Sequence, residues 1–186
     1  VPDDRLGETP SFFTGFAKII KKNLHAIGYE YCPAEMMASN PTWCLSKREW
    51  ESQFKDWIFN PNEKNILLSA IFFDFNYVFG DRQLVKDMST IVHENTKNNP
   101  RFFMFMSKDA LKSPSPLGFF RQFLVDQDGV HKDQFNIKQR ALMPLIDAAR
   151  ILTLQHDLQG INNTAERYYK LRELEPQNAE IYEACA

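Results

Sequence analysis

The sequence predicts a mainly α fold, a helical bundle preceded by a partial α/β segment. Three observations carry this. Apolar residues recur at spacings of three and four along most of the 186-residue chain. Asn, Ser, Asp and Gly stand where those runs begin and end. Residues 29–37 are the one convincing strand candidate.

Residues 1–9 are polar and read as a lead-in loop. Over 10–26, Phe12, Phe13, Phe16, Ile19, Ile20 and Leu24 make an amphipathic helix, and Gly28 stops it. Residues 29–37 carry Tyr, Cys and Met and fit a short buried strand, closed by Ser39-Asn40-Pro41. Ser46 followed by Glu49 matches a capping box: the hydroxyl accepts a free backbone N–H and the carboxylate reaches back to the cap. Trp50, Phe54, Trp57 and Ile58 then form one stripe that ends at Asn60-Pro61-Asn62. Over 66–79, dense Leu, Ile and Phe predict a buried helix, although the same content permits a strand. Gly80 followed by Asp81 favours the helix, with a C-terminal glycine and then the N-cap of a next helix bearing Leu84, Val85, Met88, Ile91 and Val92. A short helix is expected over 100–111, a loop over 113–116, an apolar segment over 117–120 and a turn-rich excursion over 126–132. The longest expected helix spans 137–158, with Leu142, Leu145, Ile146, Ala149, Ile151, Leu152 and Leu154 on one broad face and Gly160 at its end. Short helices over 164–173 and 177–185 close the chain, the first capped by Asn163 or Thr164.

Composition narrows the function classes. Hydrophobic residues make up 44%, enough for a core, and 16 Phe against 7 Gly is unlike a disordered chain. A net charge of -2 leaves no basic footprint for nucleic acid. No apolar run reaches membrane-span length, so no membrane partner is expected. Cys32, Cys44 and Cys185 are odd in number and include no CxxC pair, which favours a reducing, intracellular compartment over a disulfide framework. The four histidines are scattered away from any metal-ligand spacing and read as structural. The chain starts at Val1, so it is expected to be part of a longer product.

No glycine-rich phosphate loop, GxSxG or HExxH occurs, and no close pair of acids follows a Gly-Ser turn. Neither a catalytic nor a metal-ligating residue is therefore assigned. The polar residues of interest lie in apolar surroundings. Asp74, within Phe72-Phe73-Asp74-Phe75-Asn76, must be paired, hydrogen-bonded or beside a cavity. It reads either as an ion pair locking two helices or as a group lining a ligand groove. Asp147 and Arg150 share a helix face, as a solvated pair or, given their apolar neighbours, a buried one. Arg150 then has the geometry to clamp Asp74 or an anion. Thr164 and Arg167 open the next helix, with Thr164 as a simple cap. Lys138 is an ordinary solvated charge on the plainest reading, and Trp43 and Trp50 read as core.

Several segments in order resemble a known family. They are Cys32-Pro33-Ala34-Glu35-Met36-Met37-Ala38-Ser39-Asn40-Pro41-Thr42-Trp43, then Trp50 and Trp57, Phe72 to Asn76 with Gly80-Asp81, and Pro116-Leu117-Gly118-Phe119-Phe120. Asn136-Ile137-Lys138, the stretch from Pro144 to Arg150, and Asn163-Thr164-Ala165-Glu166-Arg167 complete the set. Together they resemble the nucleotidyltransferases of bacterial signalling proteins, in which the transferase follows cyclic-nucleotide-binding and CBS domains and ends in a substrate-binding domain. The resemblance implies a polymerase-β-type transferase, similar to protein uridylyl- and adenylyltransferases, working in the cytoplasm on a protein acceptor. Its chemistry would use Mg²⁺ and a nucleoside triphosphate, held by a Gly-Ser turn and an aspartate pair expected just upstream of Val1. Residues 1–61 would then be the C-terminal remnant of the catalytic domain and 62–186 the helical substrate-binding domain. The resemblance assigns Asp74, Asp81, Lys138, Asp147, Arg150, Thr164 and Arg167 to a polar substrate groove. Two positions depart from the family: Asn76 stands where an Arg is usual and Asn136 where an Asp is usual. A third metal-binding acid on the expected strand would have to be Glu35. The rival readings are a helical interaction or dimerisation module, and a structural remnant without activity.

Overall fold

The computed structural model describes residues 10–112, 117, 125 and 134–186. The expectations for residues 1–9, for 126–132 and for most of 113–120 lie outside the described residues. Among the described residues there are eight α-helices and no strand, so the mainly α prediction holds and its α/β part does not. The chain divides into two compact units, residues 1–54 and 55–186.

In the first unit, α1 spans Pro10–Ala26. It ends in a Schellman motif: Gly28 sits at φ 107° and donates to His25 O, and Tyr29 N–H donates to Leu24 O. Residues 29–37 are irregular, with a turn at 33–34, rather than the expected strand. Glu35 takes φ 51°, and its carbonyl accepts from the Asn40 side chain and from Trp43 Nε1, each at 3.1 Å. A strand needs a neighbour for its backbone groups. Here side chains take that role, and Glu35 pairs with Lys21 at 3.3 Å rather than joining other acids. The capping box is present: Glu49 N–H donates to Ser46 Oγ at 3.1 Å, and Ser46 N–H donates to Glu49 Oε2 at 2.8 Å. It opens α2, Lys47–Phe59. Trp43 stacks on Trp50 at 6.2 Å, and Trp50 meets Phe54 edge-on.

The second unit takes the end of α2 and then α3 (Glu63–Phe72), α4 (Arg82–Thr96) and α5 (Pro100–Ala110). A π-helical turn, Lys138–Leu142, leads into α6 (Met143–Gln155), followed by α7 (Thr164–Leu174) and α8 (Ala179–Cys185). Asn62, Asp81, Asn99 and Asn163 cap α3, α4, α5 and α7 with side-chain oxygens that accept backbone N–H groups. Thr164 is thus the first residue inside α7, not its cap. One core gathers Ile58, Ile66, Phe102, Met106 and Ile151, and a second gathers Ala149, Tyr168, Leu171 and Tyr182. Helix α6 feeds both, through Ile151 and Ala149.

Two helices end earlier than their composition predicts. Helix α3 stops at Phe72 instead of running to 79, because Asp74 and the Phe75 carbonyl are taken by distant side chains described below. Helix α6 stops at Gln155, before Gly160. Asp157, at φ 54°, is the left-handed residue of its Schellman motif, with Leu158 N–H donating to Thr153 O. The glycine signal misplaced this end because Gly160, at φ 75°, serves the loop that follows.

Candidate functional site

The early end of α3 brings Asp74 to the wall of a cleft of about 400 Å³ in the second unit. Arg167, on the first turn of α7, donates to both Asp74 carboxylate oxygens, through Nη2 to Oδ1 and through Nη1 to Oδ2. Arg150 Nε donates to Oδ2 at 2.7 Å. Asn162 Nδ2 lies 3.5 Å from Oδ1 and donates to the Phe75 carbonyl at 3.0 Å. Arg167 Nε donates to the Ile161 carbonyl at 2.8 Å, so that guanidinium is held at three edges. Its side chain is 7% exposed, against 15% for Asp74 and 27% for Arg150. Burial alone would raise the Asp74 carboxyl. Hydrogen bonds and charge from Arg167 and Arg150 outweigh it and hold the group below the usual aspartate range.

Asp147 flanks the cluster, 3.5 Å from Arg150 Nη1. Burial pushes its carboxyl up; Arg150 opposes this and Asp109 adds to it. The Asp147–Arg150 pair is therefore partly buried and joined to Asp74, not a free solvated pair.

Of the seven sequence-predicted groove residues, Asp74, Arg150 and Arg167 meet in one cluster, with Asp147 at its edge. Asp81, Lys138 and Thr164 do not line the cleft. Asp81 caps α4, Lys138 is exposed on the π-helical turn, and Thr164 begins α7. At the two positions that depart from the family, Asn76 bonds its own neighbour Tyr77 N, and Asn136 accepts from Gln139 N at 3.0 Å.

Sequence reasoning missed the opposite wall. Arg82, Lys86, Ser89 and His93 of α4 line the cleft, with Val85 and Val92 beside them. Their spacing of four, three and four marks one helical face, which was legible as polar periodicity. Met106, Leu154 and Leu158 make the cleft largely apolar below its polar rim. His93 Nδ1 lies 2.9 Å from Asp157 Oδ1. Burial lowers the His93 imidazole, and Asp157 partly offsets this.

Among the described residues, no three Asp, Glu, His or Cys side chains gather where they would hold a metal ion. Asp74 and Asp147 face guanidinium groups instead, so these residues do not fit a divalent-ion centre. No helix among the described residues is long and apolar enough to cross a membrane.

Two family profiles match the chain. Residues 1–64 match the family described as putative nucleotidyltransferase DUF294. Residues 100–186 match the family described as putative nucleotidyltransferase substrate binding domain. Searches of curated proteins and of solved structures returned no match. The chain belongs to this family of putative nucleotidyltransferases, its residues 1–64 matching the transferase profile and its residues 100–186 the substrate binding domain profile.

Proposed function

We propose that the cleft beside Asp74 is the substrate groove of a signalling nucleotidyltransferase of the protein uridylyl- or adenylyltransferase type. One observation carries the reading. The cleft is concave, apolar below, and lined by Arg82, Lys86, Arg150 and Arg167, with Asp74 as the one carboxylate among the described residues that line it. Such a wall suits an anionic substrate or acceptor group. Asp74 and Arg167 hold the wall rigid, and Arg150 is the more exposed of the two arginines. In this reading Mg²⁺ and the nucleoside triphosphate are held by carboxylates outside this chain, on a catalytic segment that works with CBS or cyclic-nucleotide-binding domains in a bacterial cytoplasm.

The test uses labelled UTP or ATP, Mg²⁺ and candidate acceptor proteins. The 186-residue chain alone is expected to transfer no label. A protein joining this chain to a Gly-Ser turn and aspartate pair is expected to transfer it. Robust transfer by the chain alone, or none by the longer protein with any acceptor, overturns the reading.

One observation favours the rival reading of an interaction module. Val78 and Phe79, at 89% and 94% exposure, stand on a turn closed by Tyr77 O–H donating to the Gly80 carbonyl. Exposed apolar tips of this kind often mark protein contacts. If Val78→Ser with Phe79→Ser abolishes self-association seen by light scattering, that reading gains over the groove.

A further inference from the structure

Helix α4 lies within residues 65–99, which neither family profile spans, yet one of its faces lines the cleft. That face ends at His93, whose side chain is 10% exposed. Its two ring nitrogens stand in different surroundings. Nδ1 is sealed from solvent, 2.9 Å from Asp157 Oδ1. The contact is short but bent away from the line of a strong hydrogen bond. Catalytic bonds commonly straighten and tighten only when substrate binds. Nε2 has no hydrogen-bond partner among the described residues and stays open, on a ring that lines the cleft. Asp157 takes φ 54° at the end of α6, where glycine is the usual residue. A glycine would hold that conformation without cost; the aspartate brings a carboxylate to it. The same Oδ1 accepts from Gln159 Nε2 at 3.2 Å, which orients it. A carboxylate beside Nδ1 draws the ring proton there and leaves the lone pair on Nε2. Burial holds the imidazole below the usual histidine range, and Asp157, the one charged group acting on it among the described residues, opposes this only in part. The ring is therefore neutral near neutral pH, as a base must be. No further ligand side chain gathers there to make a metal centre among the described residues. A pair that only tied α4 to α6 would not require an open nitrogen on the cleft side.

We propose that His93 is a general base on the cleft wall, with Asp157 as its positioning residue, and that Nε2 takes the proton of a hydroxyl group presented by the molecule bound in the cleft. The inference rests on the cleft being the substrate groove, and it names the group that activates the acceptor. The hydroxyl proton moves to Nε2 as the hydroxyl oxygen bonds the α-phosphorus of the nucleoside triphosphate. The bond from that phosphorus to the bridging oxygen breaks, and pyrophosphate leaves with its electron pair. The imidazolium then returns its proton to water. While the ring is charged, the Asp157 carboxylate stabilises it and holds its orientation.

Nitrogen-15 spectra of the histidine rings in the 186-residue chain test the dyad itself. The His93 ring is expected to be neutral at neutral pH, with its proton on Nδ1, and to titrate below an ordinary histidine. Asp157→Asn, which tolerates the left-handed backbone, should move that titration further down. A proton on Nε2, or a ring charged at neutral pH, overturns the inference. The longer protein of the transfer assay tests the chemistry. His93→Gln should lower kcat by about a hundredfold, at nearly unchanged KM and unchanged circular dichroism. Added imidazole should restore part of the activity lost in His93→Ala, which a purely structural tie would not allow. The wild-type rate should rise with pH through the value found for the ring, and Asp157→Asn should shift that rise to lower pH. Transfer by His93→Gln at the wild-type rate overturns the inference and leaves the groove standing. No transfer by the wild-type longer protein with any acceptor removes the groove, and this inference with it.

Discussion

Asp74 is the residue on which the site turns, because one carboxylate serves two arginines. Removing its charge leaves Arg167 buried without a counter-ion, the costly half of a broken ion pair. Asp74→Asn is expected to cost about 3 kcal/mol, the low end for such a loss because the carboxylate keeps some solvent contact. A shift of the urea midpoint at unchanged slope measures it. The pH dependence follows from the depressed carboxyl. A folded-state pKa below the unfolded one gives stability that is complete above the ordinary aspartate range. It is lost as pH falls through the folded value. The wild type and Asp74→Asn should therefore differ at neutral pH and converge in acid. Curves that stay apart in acid would refute the ion-pair account. Asp147 has the opposite sign, since burial raises its carboxyl. Its ionised form costs stability above the raised folded pKa, and that cost disappears as pH falls below the unfolded value. Asp147→Asn is accordingly expected to be as stable as the wild type at neutral pH, or more so, by the same urea titration.

At the scale of elements, caps set where most helices begin. Ser46 is 1% exposed and shares a reciprocal bond pair with Glu49. Ser46→Ala is expected to cost about 1 kcal/mol, the usual value of an N-cap, read as a lower melting temperature with the helix content kept. Ser46→Asp, which keeps an acceptor at the cap, should lose less. The C-terminal helices are held differently. Glu175 accepts from Tyr182 O–H and from Asn178 Nδ2, and lies 2.6 Å from His156 Nε2. One carboxylate thereby ties the end of α6 to the turn before α8. Tyr168 O–H donates to the Leu145 carbonyl at 2.7 Å, and burial pushes its phenol up to about 12, so it stays a donor across the physiological range.

For the whole molecule, both hydrophobic cores and the Asp74 cluster belong to the second unit. A fragment of residues 46–186 keeps α2 intact and is expected to unfold in one cooperative transition that still shifts with Asp74→Asn. Loss of that shift in the fragment would mean that the first unit maintains the cluster. Much of this unit was legible in the residues themselves. The bounds of α1, the Ser46–Glu49 box, the Asp81 cap and the paired helices at the end follow from periodicity and capping. Both act within one or two turns of chain and need no tertiary partner. The need to satisfy Asp74 was also legible, because a carboxylate between phenylalanines cannot be left alone. Which groups satisfy it was not. Arg150 and Arg167 lie 76 and 93 residues away, and only the packing of α6 and α7 brings them to one carboxylate. The same long-range bonds ended α3 early, against its apolar composition. Residues 29–37 had strand-like side chains but found no neighbouring strand among the described residues. Sequence alone thus determined where most helices lie, the Ser46–Glu49 and Asp81 caps and the family, because those signals are local or ordered along the chain. Tertiary structure alone decided where α3 stops, who shares Asp74 and which face of α4 lines the cleft, because those depend on contacts between residues far apart.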